Sequence, residues 1–168
     1  MQTWKRIAWF TTVLASPVVL AQAPGGTASV QQALQEQLAE IELSKIAQNN
    51  STNPAVINFA KATVRDETQK NRTLLELAQK KGLQVTESPD EEHAAMVKIL
   101  RSKAGSELDA YYAKDMARTE ANLVQIYHSQ SADSDRDIAS YAQSALPDEE
   151  QHDKLAQSLA DSTARRAT

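Results

Sequence analysis

From Val30 to Leu159 the apolar residues recur at intervals of three and four, and the glycines within that stretch are Gly82 and Gly105 alone. Alternation of the strand type is scarce, while Ala, Leu, Gln, Glu and Lys, all good helix formers, dominate. A chain patterned in this way folds into helices that each bury one stripe. Its 168 residues suit a single core, since domains commonly run to about 100 to 200 residues.

Local chemistry marks the helix ends. Asn53-Pro54 supplies a side-chain acceptor at an N-cap and a pre-set φ at the first helical position, and Lys80-Lys81-Gly82 closes the same helix with positive charge and a residue tolerant of left-handed backbone. Ser88-Pro89-Asp90-Glu91 gives a start signal in capping-box form, and Ser106 with Asp109 and Ser134 with Asp137 resemble it. The spacing predicts helices over 30–50, 54–81, 89–103, 106–130 and 134–161. Four long helices joined in this way pack as an all-α antiparallel four-helix bundle, with the short helix as an extra crossing element. Residues 30–161 form that bundle domain, preceded by a flexible lead-in over 22–29 of small, turn-forming residues and followed by a frayed tail over 162–168.

The first 21 residues read as a secretory signal peptide. Lys5 and Arg6 precede an apolar run from Ile7 to Leu20, broken by Ser16 and Pro17, and small residues follow. The run is too short for a membrane span of roughly 20 apolar residues. Cleavage after Ala21 avoids Pro24 directly after the cut. The expected location is therefore the periplasm or the medium. With no cysteine there is no disulfide framework and no thiolate metal site. Loss of Lys5 and Arg6 lowers the formal charge of −4 by two more, and that acidic balance argues against nucleic acid, which is bound mainly by Lys and Arg.

Carboxylates fall on stripes that should face inward. The second helix steps through Val56, Ala60, Thr63, Glu67, Asn71, Leu74 and Ala78. The fourth centres Glu120 among Tyr112, Met116, Leu123 and Tyr127. The last places Glu149 and His152 in line with Ile138, Ala142, Ala145, Ala156 and Leu159, with Pro147 a short step before them. In the first helix one column holds Ala33, Glu40, Ser44 and Ala47 and another Leu38, Glu42 and Ile46; the small neighbours of Glu40 make it the better inward candidate. Buried acids must be paired, protonated or metal-bound. Ferritin-like bundles build dimetal sites from two single Glu residues and two Glu-x-x-His pairs. Here Glu40 and Glu120 stand as singles and Glu149-x-x-His152 as one pair, but Lys70 replaces the second histidine three residues after Glu67.

Two outcomes follow from the residues. Glu40, Glu67, Glu120, Glu149 and His152 bind a divalent ion, with oxygen and imidazole donors suited to Fe, Mn or Zn, or Glu67, Lys70, Glu120 and His152 form a metal-free polar network with the tyrosine hydroxyls. His93, beside Glu91 and Glu92, and His128, near a helix C-terminus, read as solvated surface residues. Tyr111, Tyr112 and Met116 read as core.

The stretches "AEIELSKIAQNNSTNPAVINFAKATVRDE", "LLELAQKKGL", "ELDAYYAKDMARTE" and "SALPDEEQH" resemble, in order and spacing, an exported bacterial ferritin-like family of unknown function, the domain-of-unknown-function family numbered 4142, often labelled as outer membrane proteins. The resemblance covers nearly all of the chain after the signal. The family usually carries His at the positions of Glu67 and Glu120, while Leu146, Pro147 and His152 match its pattern. If the family's inward histidines bind metal, this chain has shifted toward harder oxygen ligands. The expectation is an exported, noncatalytic envelope or stress-associated module. The alternatives are an Fe- or Mn-dependent oxidase or peroxide-handling protein, and a module that offers an acidic face to an envelope partner.

Overall fold

The computed structural model describes residues 25–167, so the proposed signal segment, residues 22–24 of the lead-in and Thr168 lie outside the described residues. Five helices, α1 (Gly25–Asn50), α2 (Pro54–Lys80), α3 (Glu91–Arg101), α4 (Gly105–Gln130) and α5 (Arg136–Ala167), make up the fold, with no strand among the described residues. None of these helices is long and apolar enough to cross a membrane.

Hydrogen bonds and ion pairs fix the helix directions. Along α1 and α4, Gln37 meets the Tyr127 hydroxyl at 2.9 Å and Ser44 meets that of Tyr112 at 2.8 Å, so the two helices run antiparallel. On α2 and α5, Lys80 pairs with Asp137 while Glu67 faces His152, again antiparallel. Tyr127 and Tyr141 bring α4 against α5, and Asn71 and Gln37 bring α2 against α1. The long helices thus run up, down, down, up, and the link from α2 to α4 must travel the length of the bundle. That single long crossover is the connectivity of ferritin-like bundles.

The crossover follows α1. Gln31 and Gln35 bind the backbone at Thr86, Ser88 and Asp90, His93 meets Glu36, and Arg101 reaches Glu42 near the far end. Covered by α2, α4 and α3, α1 is buried on most of its surface, including Gln35, Glu36 and Gln37. This encirclement explains why two columns competed in its sequence: α3 covers the side carrying Leu38 and Glu42, and Glu40 is the fully buried acid.

Several helix limits differ from the sequence reading. The lead-in is helical from Gly25, because Gly26 packs so closely on α5 that a Cβ there would stand 3.3 Å from Ile138 Cδ1; the small residues serve close approach. The tail is helical to Ala167, held by a buried Thr163 whose hydroxyl bonds the Leu159 carbonyl. The cap of α3 is Asp90, which accepts from His93 N, and Asp135 caps α5, accepting from the backbone N–H of Asp137 and Ile138. Among the described residues no side chain caps α4, which begins after Ala104. Asn53 caps α2 as expected, accepting from Ala55 N at 3.1 Å, and Gly82 follows its end at φ +67°.

The interior has three layers. Leu43, Val56, Leu100, Leu108, Tyr112, Met116 and Leu159 belong to one apolar cluster, and Leu34, Leu74, Leu123, Tyr127 and Ile138 to the other. Between them lies a polar belt containing Glu40, Thr63, Glu67, Thr119, Glu120 and Glu149, all buried. Burial of apolar surface on both sides, at about 25 cal/mol per Å², holds the belt in place against the cost of desolvating its acids.

Candidate metal centre

Each belt residue reaches the interior through the helical period. On α2 the buried residues are Val56, Ala60, Thr63, Glu67, Asn71, Leu74 and Ala78, the stripe expected from sequence. On α4 the stripe presents Glu120, and on α5 Glu149 and His152. Pro147 does not interrupt α5; it lies on the exposed side, where water can serve the Gln143 carbonyl that loses its N–H donor.

Glu40, Glu67, Glu120 and Glu149 are wholly inaccessible to solvent, one from each long helix. His152 and Lys70, each with 14% of the side chain exposed, separate them from the surface. His152 Nδ1 stands 3.6 Å from Glu120 Oε1 and 3.7 Å from Glu67 Oε1, while its Nε2 faces Asp66 Oδ2 at 3.7 Å. Lys70 Nζ donates to Glu67 Oε1 at 2.7 Å and lies 3.0 Å from Glu149 Oε1, an ion-pair contact without hydrogen-bond geometry. A surface pocket of about 250 Å³, lined by Asp66, Lys70, Asp148, Gln151 and His152, opens directly above them.

The acids are underpaired. Both carboxylate oxygens of Glu40, Glu120 and Glu149, one of Glu67, and His152 Nδ1 lack a hydrogen-bond partner among the described residues. Desolvation, then the charges of Glu120, Glu67 and Glu149, push the Glu40 carboxyl well above its usual range. Burial likewise raises Glu67 despite the opposing Lys70 ammonium, and raises Glu149 to about 9 with Glu67 adding to the effect. Lys70 is held above its normal value because Glu67 and Glu149 outweigh the burial that disfavours its charge. His152 is raised chiefly by Glu120. Glu40, Glu67 and Glu149 therefore hold protons more tightly than free carboxylates do, the behaviour of a site with too few cations.

These donors fit a divalent ion. Ligand atoms of Glu67, Glu149 and His152 all lie within 4.8 Å of one another. Two donors each about 2.1 Å from a shared ion stand roughly 3 to 4 Å apart, so the His152 contacts need little adjustment. Carboxylate oxygens with one imidazole suit Fe, Mn or Zn. Of the five residues singled out in the sequence, Glu67, Glu149 and His152 have ligand atoms in mutual reach, Glu120 approaches His152 alone among them at 3.6 Å, and Glu40 enters as a neighbouring charge.

Several participants were missed by the sequence reading. Gln37 lies three residues before Glu40 on the same column; its amide donates to Tyr127 and accepts from Asn71. The Tyr141 hydroxyl donates to the Lys70 carbonyl at 3.2 Å and steadies that turn. Asp66, at the outer edge, is held by Arg65 at 2.7 Å. His93 corrects an expectation: it is buried, bound to Asp90 through Nδ1 at 2.8 Å and facing Glu36 at 3.3 Å, because the α3 turn that exposes Glu91 and Glu92 aims His93 at α1. His128 is exposed, 3.4 Å from Glu150.

Fold and site together define a helical bundle with an internal carboxylate and histidine cluster between two apolar layers. The chain belongs to the DUF4142 family, a domain of unknown function, whose model matches residues 15–159. No curated protein and no solved structure matches the chain.

Proposed function

We propose that this chain is an exported envelope protein that binds one divalent transition metal through Glu67, Glu120, Glu149 and His152, with Glu40 as an inner neighbouring acid, and acts as a noncatalytic module. The observation that carries the reading is the set of buried, partnerless donors from separate helices converging on one spot. Leaving such groups desolvated and unpaired costs about 1 to 3 kcal/mol each, more when charged, and a bound cation removes that cost. Export rests on the basic and apolar pattern of the first 21 residues.

The experiment is metal analysis of protein purified from the periplasm without a histidine tag, beside a Glu149→Ala/His152→Ala variant. Stoichiometric Fe, Mn or Zn in the parent, lost in the variant, supports the proposal. The Lys70 contacts to Glu67 and Glu149 favour a second reading, a metal-free polar network. Metal-free protein whose melting is unchanged by chelators would establish that reading instead. An oxidase or peroxide-handling role requires turnover of Fe(II) or peroxide by the loaded protein.

A further inference from the structure

The segments Glu67-Thr68-Gln69-Lys70 on α2 and Glu149-Glu150-Gln151-His152 on α5 share one spacing, and they face each other across antiparallel helices. Their contacts are exchanged. Lys70 Nζ reaches Glu149 Oε1 of the opposite segment at 3.0 Å, and His152 Nδ1 approaches Glu67 Oε1 of the opposite segment at 3.7 Å. Lys70 also bonds Glu67 Oε1 of its own segment at 2.7 Å, and His152 Nδ1 also lies 3.6 Å from Glu120 Oε1, so the two groups approach the same carboxylates from different sides. Lys70 on one side and His152 on the other thereby mark two positions beside the Glu67 and Glu149 carboxylates.

Resting on the metal-binding reading above, we infer that Lys70 permanently fills one of these two positions with its ammonium group and so restricts the site to a single divalent ion on the His152 side. An ammonium has three N–H donors and no lone pair, so it cannot ligate a metal, whereas an imidazole can. Lys70 is fixed there: Nζ bonds Glu67 Oε1 at 2.7 Å, and its own carbonyl accepts from Tyr141. Its charge also opposes a second cation at close range. Lys70, standing where the facing segment carries His152, therefore sets the stoichiometry of the site.

The test is titration of the chelator-treated mature chain with Mn(II), read by bound-metal analysis and electron paramagnetic resonance. Wild type takes one Mn(II) per chain with the spectrum of an isolated ion. Lys70→His takes two and shows coupling between them. Lys70→Gln, which removes the charge without adding a ligand, binds its Mn(II) about tenfold more tightly or better. Two ions in wild type, or one in a Lys70→His protein with wild-type helicity and melting, overturns the inference while leaving metal binding intact. If Lys70→His does not fold, Lys70→Gln decides: unchanged or weaker Mn(II) binding overturns it. Metal in Lys70→His but none in wild type supports Lys70 as the resident cation and defeats the metal-binding function, and none in either defeats both.

Discussion

The ammonium of Lys70 on α2 lies 3.0 Å from Glu149 Oε1 on α5, and this contact ties together two helices that the chain separates by a long crossover. Lys70 pairs with two of the four fully buried glutamates, Glu67 and Glu149, so it helps the belt tolerate its own charge. Removing one partner of a buried pair leaves the other uncompensated, at roughly 3 to 5 kcal/mol. Metal-free Lys70→Met is expected to lose about 3 kcal/mol, measured by urea unfolding near neutral pH. A loss below about 0.5 kcal/mol, the size of an ordinary surface change, would contradict that role.

The acids impose a pH dependence of definite sign. Glu149 has its ordinary value at 4.5 and is raised to about 9 in the fold, with burial the main cause. The native state then keeps a proton that the unfolded chain releases, so this contribution to stability is whole below 4.5 and is lost as pH climbs toward about 9. Glu40 and Glu67, raised for the same reason, act in the same direction. Chelated protein should melt at progressively lower temperature across that interval. Added Mn(II) or Zn(II), which replaces the protons, should flatten the decline.

Among the described residues Glu40 has no cationic partner within hydrogen-bond reach, and both its oxygens are unsatisfied. Replacing it by the neutral isostere Gln removes one buried acid, and Thr119 lies close enough to interact with the side chain. Metal-free Glu40→Gln is expected to melt about 2 to 4 °C higher at mildly alkaline pH, the shift of roughly 1 kcal/mol in a chain of this size. A lower melting temperature would mean that the carboxylate is already neutralised by something Gln cannot replace.

His93 makes a prediction outside the belt. Burial disfavours its charge, but Glu36 and Asp90 outweigh that and raise its pKa above 6.5. Its stabilising contribution is thus complete below 6.5 and is lost as pH rises through the folded value. His93→Leu should cost about 1 to 2 kcal/mol at about pH 5.5 and distinctly less at about pH 8.5. Equal costs at both pH values in paired denaturation curves would assign His93 a packing role alone.

Export has an optical readout, because both tryptophans, Trp4 and Trp9, precede the proposed cut after Ala21. Protein recovered from the periplasm should begin at Gln22, lack tryptophan emission and weigh less than the 18.4 kDa of the whole chain. Full mass with tryptophan fluorescence in that fraction would refute processing at this site.

How far the sequence reaches is visible in individual helices. The stripes of α2, α4 and α5, with Glu67, Glu120, Glu149 and His152 on them, follow from a period of 3.6 residues, which is local geometry and needs no knowledge of partners. The cap at Asn53 and the stop at Gly82 are equally local. Tertiary structure alone decided the rest. It laid α3 over the Glu42 side of α1, buried His93 by turning it onto Glu36, and extended α1 and α5 at their ends by docking Gly26 and Thr163. Above all it set the register between α2 and α5 that carries Lys70 to Glu149 and His152 to Glu67. Helical repeat fixes the direction in which a side chain leaves its own axis; the separation of two side chains on different axes depends on how whole helices settle against one another, which no single segment encodes.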